Sequence, residues 1–327
     1  MENSKVKIGL LGVGHLGKIH LRILKSIPEI EFIGFFDQDS NMATQVSEEF
    51  EVPAFQDMAS LLEACDAVDI VTPTLAHFAV AQQALQAGKH VFIEKPVTST
   101  VEEAQALLTL AKQTGTTVQV GHVERFNPAF LAASGFDLEP QFVEGHRLAM
   151  YNPRGTDVSV VLDLMIHDID VLLSVVKSPV KQIDANGVSV VSKTADIANA
   201  RIAFENGCVA NLTASRISLK NMRRLRFFQP SAYVAIDFLE KNTEVVRLSN
   251  EAQGGGMSFP IGTGDESRFL QYEKADVQSN NAIKMELESF AASILKGEPV
   301  RVSLEDGVAA LVVAQEVAQR IESQVNS

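Results

Sequence analysis

Cysteine is scarce in this chain. Cys65 and Cys208 are the only two among 327 residues, far apart and in no pairing or metal-binding motif. That excludes a disulfide framework and fits a reducing cytoplasm. No apolar run approaches the roughly 18 residues that a membrane-spanning helix needs, and residues 1–5 lead straight into a strand pattern, with no room for a signal peptide. Positive charge is short as well: 28 Lys and Arg against 41 Asp and Glu give a formal net charge of −13. Nonspecific nucleic-acid binding needs a basic face that displaces counterions, so this class of function is excluded. An anionic ligand would have to be held by local dipoles and a few placed arginines.

What is present is a chain long enough for two domains, 46 % apolar and 21 % charged. Up to about residue 121, short buried strand patterns (5–11, 31–36, 67–71, 90–93, 117–120) alternate with amphipathic helical ones (16–26, 41–50, 74–87, 101–113). Such alternation specifies an α/β domain, a doubly wound parallel sheet with helices on both faces. From about 141 to 247 the pattern is mostly strand-like, with runs at 200–204, 208–215, 224–228 and 233–238. Asn206-Gly207 reads as a hairpin turn between two of them. One helix, 158–176, interrupts, so a second, α+β domain with a largely antiparallel sheet is expected. The boundary falls at 1–122 against 123–327. The stretch from Gly254-Gly255-Gly256 to about Ser267 reads as a mobile loop, and the helices at 281–295 and 304–322 are long enough to pack on either domain.

Two places carry chemistry. Gly12-Val13-Gly14-His15-Leu16-Gly17 lies between a strand and a helix, the context a dinucleotide fingerprint requires. Gly12 allows the tight turn, Gly14 lets the backbone approach a pyrophosphate, and Gly17 permits close packing of helix on strand. The helix start offers amide donors to phosphate. Asp37 ends the second strand where an acid accepts from a ribose diol. It repels a 2′-phosphate, and Gln38-Asp39-Ser40 bring no arginine, so NAD is favoured over NADP. At the carboxyl edge of the sheet, Glu94-Lys95-Pro96 supplies a lysine that can donate to a substrate hydroxyl or relay a proton, with Glu94 to orient it. On the 158–176 helix, Asp163 and His167 stand four apart on one face among apolar neighbours. A carboxylate-oriented histidine can act as general base, and an ordinary structural pair fits the spacing equally well. No further His or Cys has metal-ligand spacing, so no metal is expected.

With these three motifs in one chain and in this order, the sequence resembles the glucose–fructose oxidoreductase/inositol dehydrogenase/MocA family over essentially its whole length. The resemblance implies a Rossmann domain followed by an open-sheet domain. It also implies a nicotinamide cofactor, with Lys95, His167 and Asp163 at the chemical step. Thr72-Pro73-Thr74 with His77 looks like the family's segment beside the nicotinamide, and Glu94 and Lys95 adjoin it. Within the family, residues 121–128 and the run Arg154-Gly155-Thr156-Asp157 look most like enzymes that oxidise the 3-hydroxyl of UDP-N-acetylhexosamines or their uronic acids. Arg125, Asn127, Arg154 and Asp157 are therefore candidate substrate contacts, and ordinary ion pairing accounts for the arginines as well. Arg224 and Arg226 share one strand face and either extend that basic patch or flank a subunit interface. A homodimer or homotetramer through the open sheet is implied. Two other readings stay open: a dehydrogenase of a free sugar, inositol or other polyol, and a non-catalytic NAD-sensing protein on the same fold. Which of Lys95 and His167 accepts the proton is also open.

Overall fold

The computed structural model describes residues 5–152, 158–230, 232–251, 257–262 and 268–325. The chain divides into two compact units, Met1–Val123 with Asn281–Leu311, and Glu124–Asn280 with Val312–Ser327.

The first unit is a five-stranded parallel sheet of β1 (Val6–Leu11), β2 (Ile30–Phe36), β3 (Ala67–Ile70), β4 (His90–Glu94) and β5 (Val118–Gly121), in the order β2-β1-β3-β4-β5. The inner strands β1, β3 and β4 are buried on both faces, which explains their nearly unbroken apolar runs. Helices α1 (His15–Leu24), α2 (Ser40–Phe50), α3 (Met58–Ala64), α4 (Thr74–Gln86) and α5 (Val101–Thr114) connect them. Helix α3 was not expected. It is short, starts on Asp57, whose carboxylate accepts from Ser60 N–H at 2.8 Å, and buries only Leu61 and Leu62. Helix α5 opens with a full capping box on Thr100 and Glu103 and stops at Gly115, whose φ of +66° an L-residue rarely adopts. From the far end of the chain, α8 (Ala282–Lys296) completes this core, with Leu287, Phe290 and Ala291 packed among Ile8, Leu21, Leu24 and Phe92.

The second unit is built on a nine-stranded sheet. Its strands are β6 (Phe142–Leu148), β7 (Val180–Val188), β8 (Ile197–Phe204), β9 (Val209–Ser215), β10 (Met222–Gln229), β11 (Ala232–Asp237), β12 (Asn242–Ser249), β13 (Met257–Ile261) and β14 (Arg268–Lys274). The order is β13-β14-β12-β11-β10-β6-β9-β8-β7, antiparallel except where β6 pairs with β9. The β8–β9 hairpin turns at Gly207, with φ of +88°. The expected mobile loop is corrected in part: 257–261 is a strand paired to β14, because alternating side chains there continue the ladder. Residues 254–256 and 263–267 lie outside the described residues. The helical segment on this sheet is also not uniform. Residues Val161–Met165 form a π turn before α7 (Ile166–Val175) begins.

Helix α7 is fastened to the sheet by buried charge. Arg147 on β6 donates to Asp168 Oδ1 through Nε (3.0 Å) and Nη2 (2.7 Å), and through Nη1 to Glu124 Oε1 at 2.8 Å. Burial works against the Arg147 charge, but the two carboxylates raise its pKa further still. Glu124 belongs to the short 3-10 turn Val123–Phe126, so one guanidinium ties three elements together. Taking away the cation leaves two buried carboxylates with only the half-exposed Arg223, 3.8 Å from Glu124, as a nearby positive charge. Arg147→Met should therefore cost about 3–5 kcal/mol in urea unfolding, and adding Glu124→Gln and Asp168→Asn should recover a large part of it.

Candidate active site

The first unit builds a cradle at the carboxyl end of β1. Gly12 takes φ of +91°, and a Cβ there would stand 2.9 Å from the Val71 carbonyl oxygen. At Gly17 a Cβ would come within 2.5 Å of the Gly12 carbonyl oxygen, so only glycine lets α1 sit this close to the loop. Gly14 differs: a Cβ there would meet no protein atom within 4 Å. It is the N-cap of α1, no side chain caps that helix, and its first turn carries no acid. Exposed His15 and Leu16 follow. Uncapped amides beside an open, side-chain-free surface are what an anionic diphosphate needs.

Asp37 stands at the rim of this cradle. Its Oδ2 accepts from Val13 N–H at 2.8 Å and its Oδ1 from Asp39 N–H at 2.9 Å, which locks the acid to the glycine loop. Asp39 in turn caps α2 by accepting from Asn41 and Met42 N–H.

Two loops follow at the ends of β3 and β4. His77 on α4 is buried, with Nε2 2.9 Å from the Thr72 carbonyl oxygen and Nδ1 2.9 Å from that of Pro96. It thus clamps the Thr72-Pro73-Thr74 turn to the Lys95-Pro96 turn, whose peptide bond is cis. Burial lowers the pKa of His77 although both carbonyls pull it up. Its place is below the surface, where it clamps the two turns together. Above it, the Thr72 Oγ1 is buried without a hydrogen-bond partner among the described residues, a polar atom that a bound amide or ribose would satisfy. Pro73 is exposed and Thr74 half-buried. Lys95 is half-buried at the sheet edge. Glu94 is turned inward: Oε2 accepts from Lys95 N–H at 3.2 Å and Oε1 lies 3.3 Å from buried His20 Nε2. Glu94 therefore holds the lysine's backbone, and its carboxylate is engaged away from the glycine cradle.

In the second unit, Asp163 lies in the π turn and His167 in the first turn of α7, both half-buried between the fully buried Met165, Ile166 and Asp168. The expected regular helix would have stacked them on one face. Instead their four-residue spacing crosses the junction of a π turn with an α-helix, a distortion that often accompanies functional side chains. Arg125 donates from Nε to buried Asp170 at 3.0 Å. Asn127 is spent on structure. Its Oδ1 caps Pro128–Ala133 (α6) by accepting from Ala129 N–H, and its Nδ2 donates to Glu124 and to the Phe238 carbonyl. Both amide hydrogens are used in a buried position, so the substrate contact expected of Asn127 has no donor left. Arg154 and Asp157 lie outside the described residues. Arg224 and Arg226 pair with Asp237 (2.7 Å) and Glu144 (2.5 Å) on the open face of the sheet, the face-sharing expected of them.

A doubly wound sheet with a glycine cradle and an acid fixed to its loop defines a dinucleotide-binding oxidoreductase, and comparison with known proteins agrees. Residues 6–122 match the oxidoreductase family with the NAD-binding Rossmann fold, and 132–229 match the GFO/IDH/MocA C-terminal domain. This chain belongs to the GFO/IDH/MocA oxidoreductase family. It is 37 % identical over 320 residues to a UDP-N-acetylglucosamine 3-dehydrogenase of Acidithiobacillus ferrooxidans, covering 97 % of this chain and 98 % of that one. A solved structure of that enzyme superposes with a TM-score of 0.88 at 34 % identity, over 98 % of both chains. A scyllo-inositol 2-dehydrogenase (NAD(+)) of Bacillus subtilis is 28 % identical, covering 95 % of this chain and 94 % of that one.

Gly14 separates binding from folding. Gly14→Ala should leave the melting temperature nearly unchanged, since its Cβ meets nothing, while weakening dinucleotide binding about tenfold or more in calorimetric titration.

Proposed function

We propose that this protein is an NAD-dependent dehydrogenase that oxidises the 3-hydroxyl of a UDP-N-acetylhexosamine or of its uronic acid. The full-length 37 % identity to a UDP-N-acetylglucosamine 3-dehydrogenase carries this reading. The cradle supports a dinucleotide through Gly12, Gly14 and Gly17 and the uncapped start of α1. Asp37 supports NAD over NADP: its carboxylate is fixed by Val13 and Asp39 amides, and Asp39 and Ser40 are committed to starting α2.

Bound NAD supplies the hydride acceptor. The chain's own residues handle the proton. His167 accepts the proton of the sugar hydroxyl, Lys95 donates a hydrogen bond to the oxygen as negative charge develops, and Asp163 orients one of the two. Exchange of the Lys95 and His167 roles satisfies the same balance. Arg125 and Arg154 remain the candidates for the nucleotide-sugar phosphates or uronate, since a guanidinium matches such anions with paired donors, and Asp157 remains a candidate contact for a sugar hydroxyl. Phe142, Phe228 and Tyr233 pack in tilted pairs on the open face of the nine-stranded sheet, at 5.5 and 5.0 Å between ring centroids. That face suits a second copy of the chain, and light scattering should give a dimer or tetramer; a monomer would refute it. No helix among the described residues is long and apolar enough to cross a membrane, and two buried thiols suit a cytoplasmic setting.

NADH absorbance on mixing the protein with NAD and UDP-N-acetylglucosamine, or its uronic acid, tests the substrate; silence across a nucleotide-sugar panel refutes it. Lys95→Ala and His167→Ala should each lower kcat by about a hundred- to ten-thousand-fold with NAD affinity kept within a few-fold. The similarity to the scyllo-inositol enzyme favours a second reading, a free polyol substrate. Competition by UDP against substrate decides between the two, because only a nucleotide-sugar site binds UDP.

A further inference from the structure

Beneath the carboxyl edge of the parallel sheet, four ionisable side chains from four elements meet in the core of the first unit. They are His20 on α1, Asp69 on β3, Glu94 at the end of β4 and Glu286 on α8. His20, Asp69 and Glu286 have no solvent exposure, and Glu94 has 9 %. His20 Nδ1 lies 2.8 Å from Asp69 Oδ2. Its Nε2 lies 3.3 Å from Glu94 Oε1, too poorly aligned for a hydrogen bond. One atom each of His20, Glu94 and Glu286 falls within 4.8 Å of the other two. Neither carboxylate oxygen of Glu286 has a hydrogen-bond partner among the described residues, and the side chain of Gln119 on β5 donates to the Glu286 backbone carbonyl at 2.7 Å. Phe92 and Phe290 close the apolar side, Phe92 standing 6.0 Å from the His20 ring.

Charge counting decides what this pocket holds. Three ionised carboxylates with a neutral imidazole would put three negative charges in a dry core, and with an imidazolium two. Neither is tolerable without further compensation. We propose that the four groups share two protons, one on the His20–Asp69 pair and one on Glu286, which leaves a single negative charge, on Glu94, and that this post fixes the inward Glu94 carboxylate. Since Glu94 Oε2 accepts from Lys95 N–H, Glu286 is a positioning residue for Lys95. Gly121 on β5 serves the same post, because a Cβ there would stand 2.8 Å from Glu94 Oε1.

The titration directions agree. Burial raises Glu286 well above the usual carboxylate range; the charge of Glu94, then that of Asp69, adds to it and His20 opposes it. Burial alone would depress His20, but Asp69 and Glu94 raise it well above the ordinary imidazole value. Burial also raises Asp69, with His20 opposing. The groups facing the pocket are His20 from α1, Asp69 from β3, Glu94 from β4, neutral Gln119 from β5 and Glu286 from α8. Lys284 and Glu288 of α8 lie at the surface and pair with each other at 3.6 Å. Each raised pKa contributes stability that is complete at low pH and lost as pH climbs through the folded-state value.

The positioning clause rests on the reading of Lys95 as a residue of the reaction centre; the proton count does not. The His20 ring proton, followed by NMR in the full-length protein, should stay in its imidazolium position at pH values where exposed histidines have titrated. An ordinary imidazole titration overturns the proposal. Glu286→Gln mimics the protonated acid. Its thermal stability relative to the parent protein should rise steadily with pH, and parallel curves overturn the proposal. The alkaline limb of kcat should move to higher pH in Glu286→Gln; an unmoved limb overturns the positioning role. Elemental analysis should find no tightly held divalent ion, and one equivalent per chain surviving dialysis against chelator would overturn proton sharing. Full activity in Lys95→Ala would refute the mechanism while leaving the NMR and stability results to judge the protons alone.

Discussion

Arg147 stands between Glu124 and Asp168 with almost no access to water, and the second unit depends on that arrangement. A carboxylate inside a core needs a cation, a proton or several hydrogen-bond donors beside it to offset the loss of its hydration. Around Arg147 the need is met by a permanent cation whose planar fork serves two acids at once. In the first unit, Asp69, Glu94 and Glu286 have no arginine, only His20. One arrangement is indifferent to pH across the physiological range; the other is built from groups that exchange protons. The pH-indifferent anchor holds a helix and the proton-bearing one stands under a lysine. That difference makes the first unit the place where ionisation and chemistry can be linked.

The features legible in the sequence are those encoded within a short stretch. The glycine cradle, its strand and its helix are contiguous, and Asp37 is one strand away, so spacing alone places them together. The parallel sheet is equally local in its signal, since strands buried on both faces must read as apolar runs. The antiparallel sheet announced itself through alternation and through Asn206-Gly207. Its outer strands β12 to β14 were less visible, because half-buried edge strands tolerate polar residues on both faces.

Other features were present in the sequence and misread, or invisible to it. Asn127-Pro128 is a helix start, an asparagine N-cap with proline in the first turn, a local meaning that the reading by resemblance left out. The π turn at Val161–Met165 leaves no periodic trace, since apolar residues flank Asp163 in either geometry. The buried cluster needs contacts between residues 20, 69, 94 and 286, which no window spans. Even so, each member breaks its local pattern. Glu286 lies between Ile283 and Phe290 on the packed face of α8, His20 between Gly17 and Leu24 on that of α1, and Asp69 inside a strand with no exposed residue. A single polar residue on a core face is ordinary. Three on elements that must pack on one sheet indicate a shared pocket.

This convergence also gives α8 a reason to return from the far end of the chain. Leu287 and Phe290 would cover the sheet as well without an acid between them and Ile283, and burying Glu286 there costs stability. A costly group retained at a packed position is explained only if it acts on something, and the neighbour it can act on is Glu94. Glu94 in turn reaches the Lys95 backbone, while His77 secures the following residue, Pro96, from helix α4. The short turn that carries the lysine is thus held on one side by the His77 clamp and on the other by a titratable post. Reactive side chains work only when the backbone beneath them is held within a fraction of an ångström. Lys95 meets that demand through buried groups that never touch the substrate.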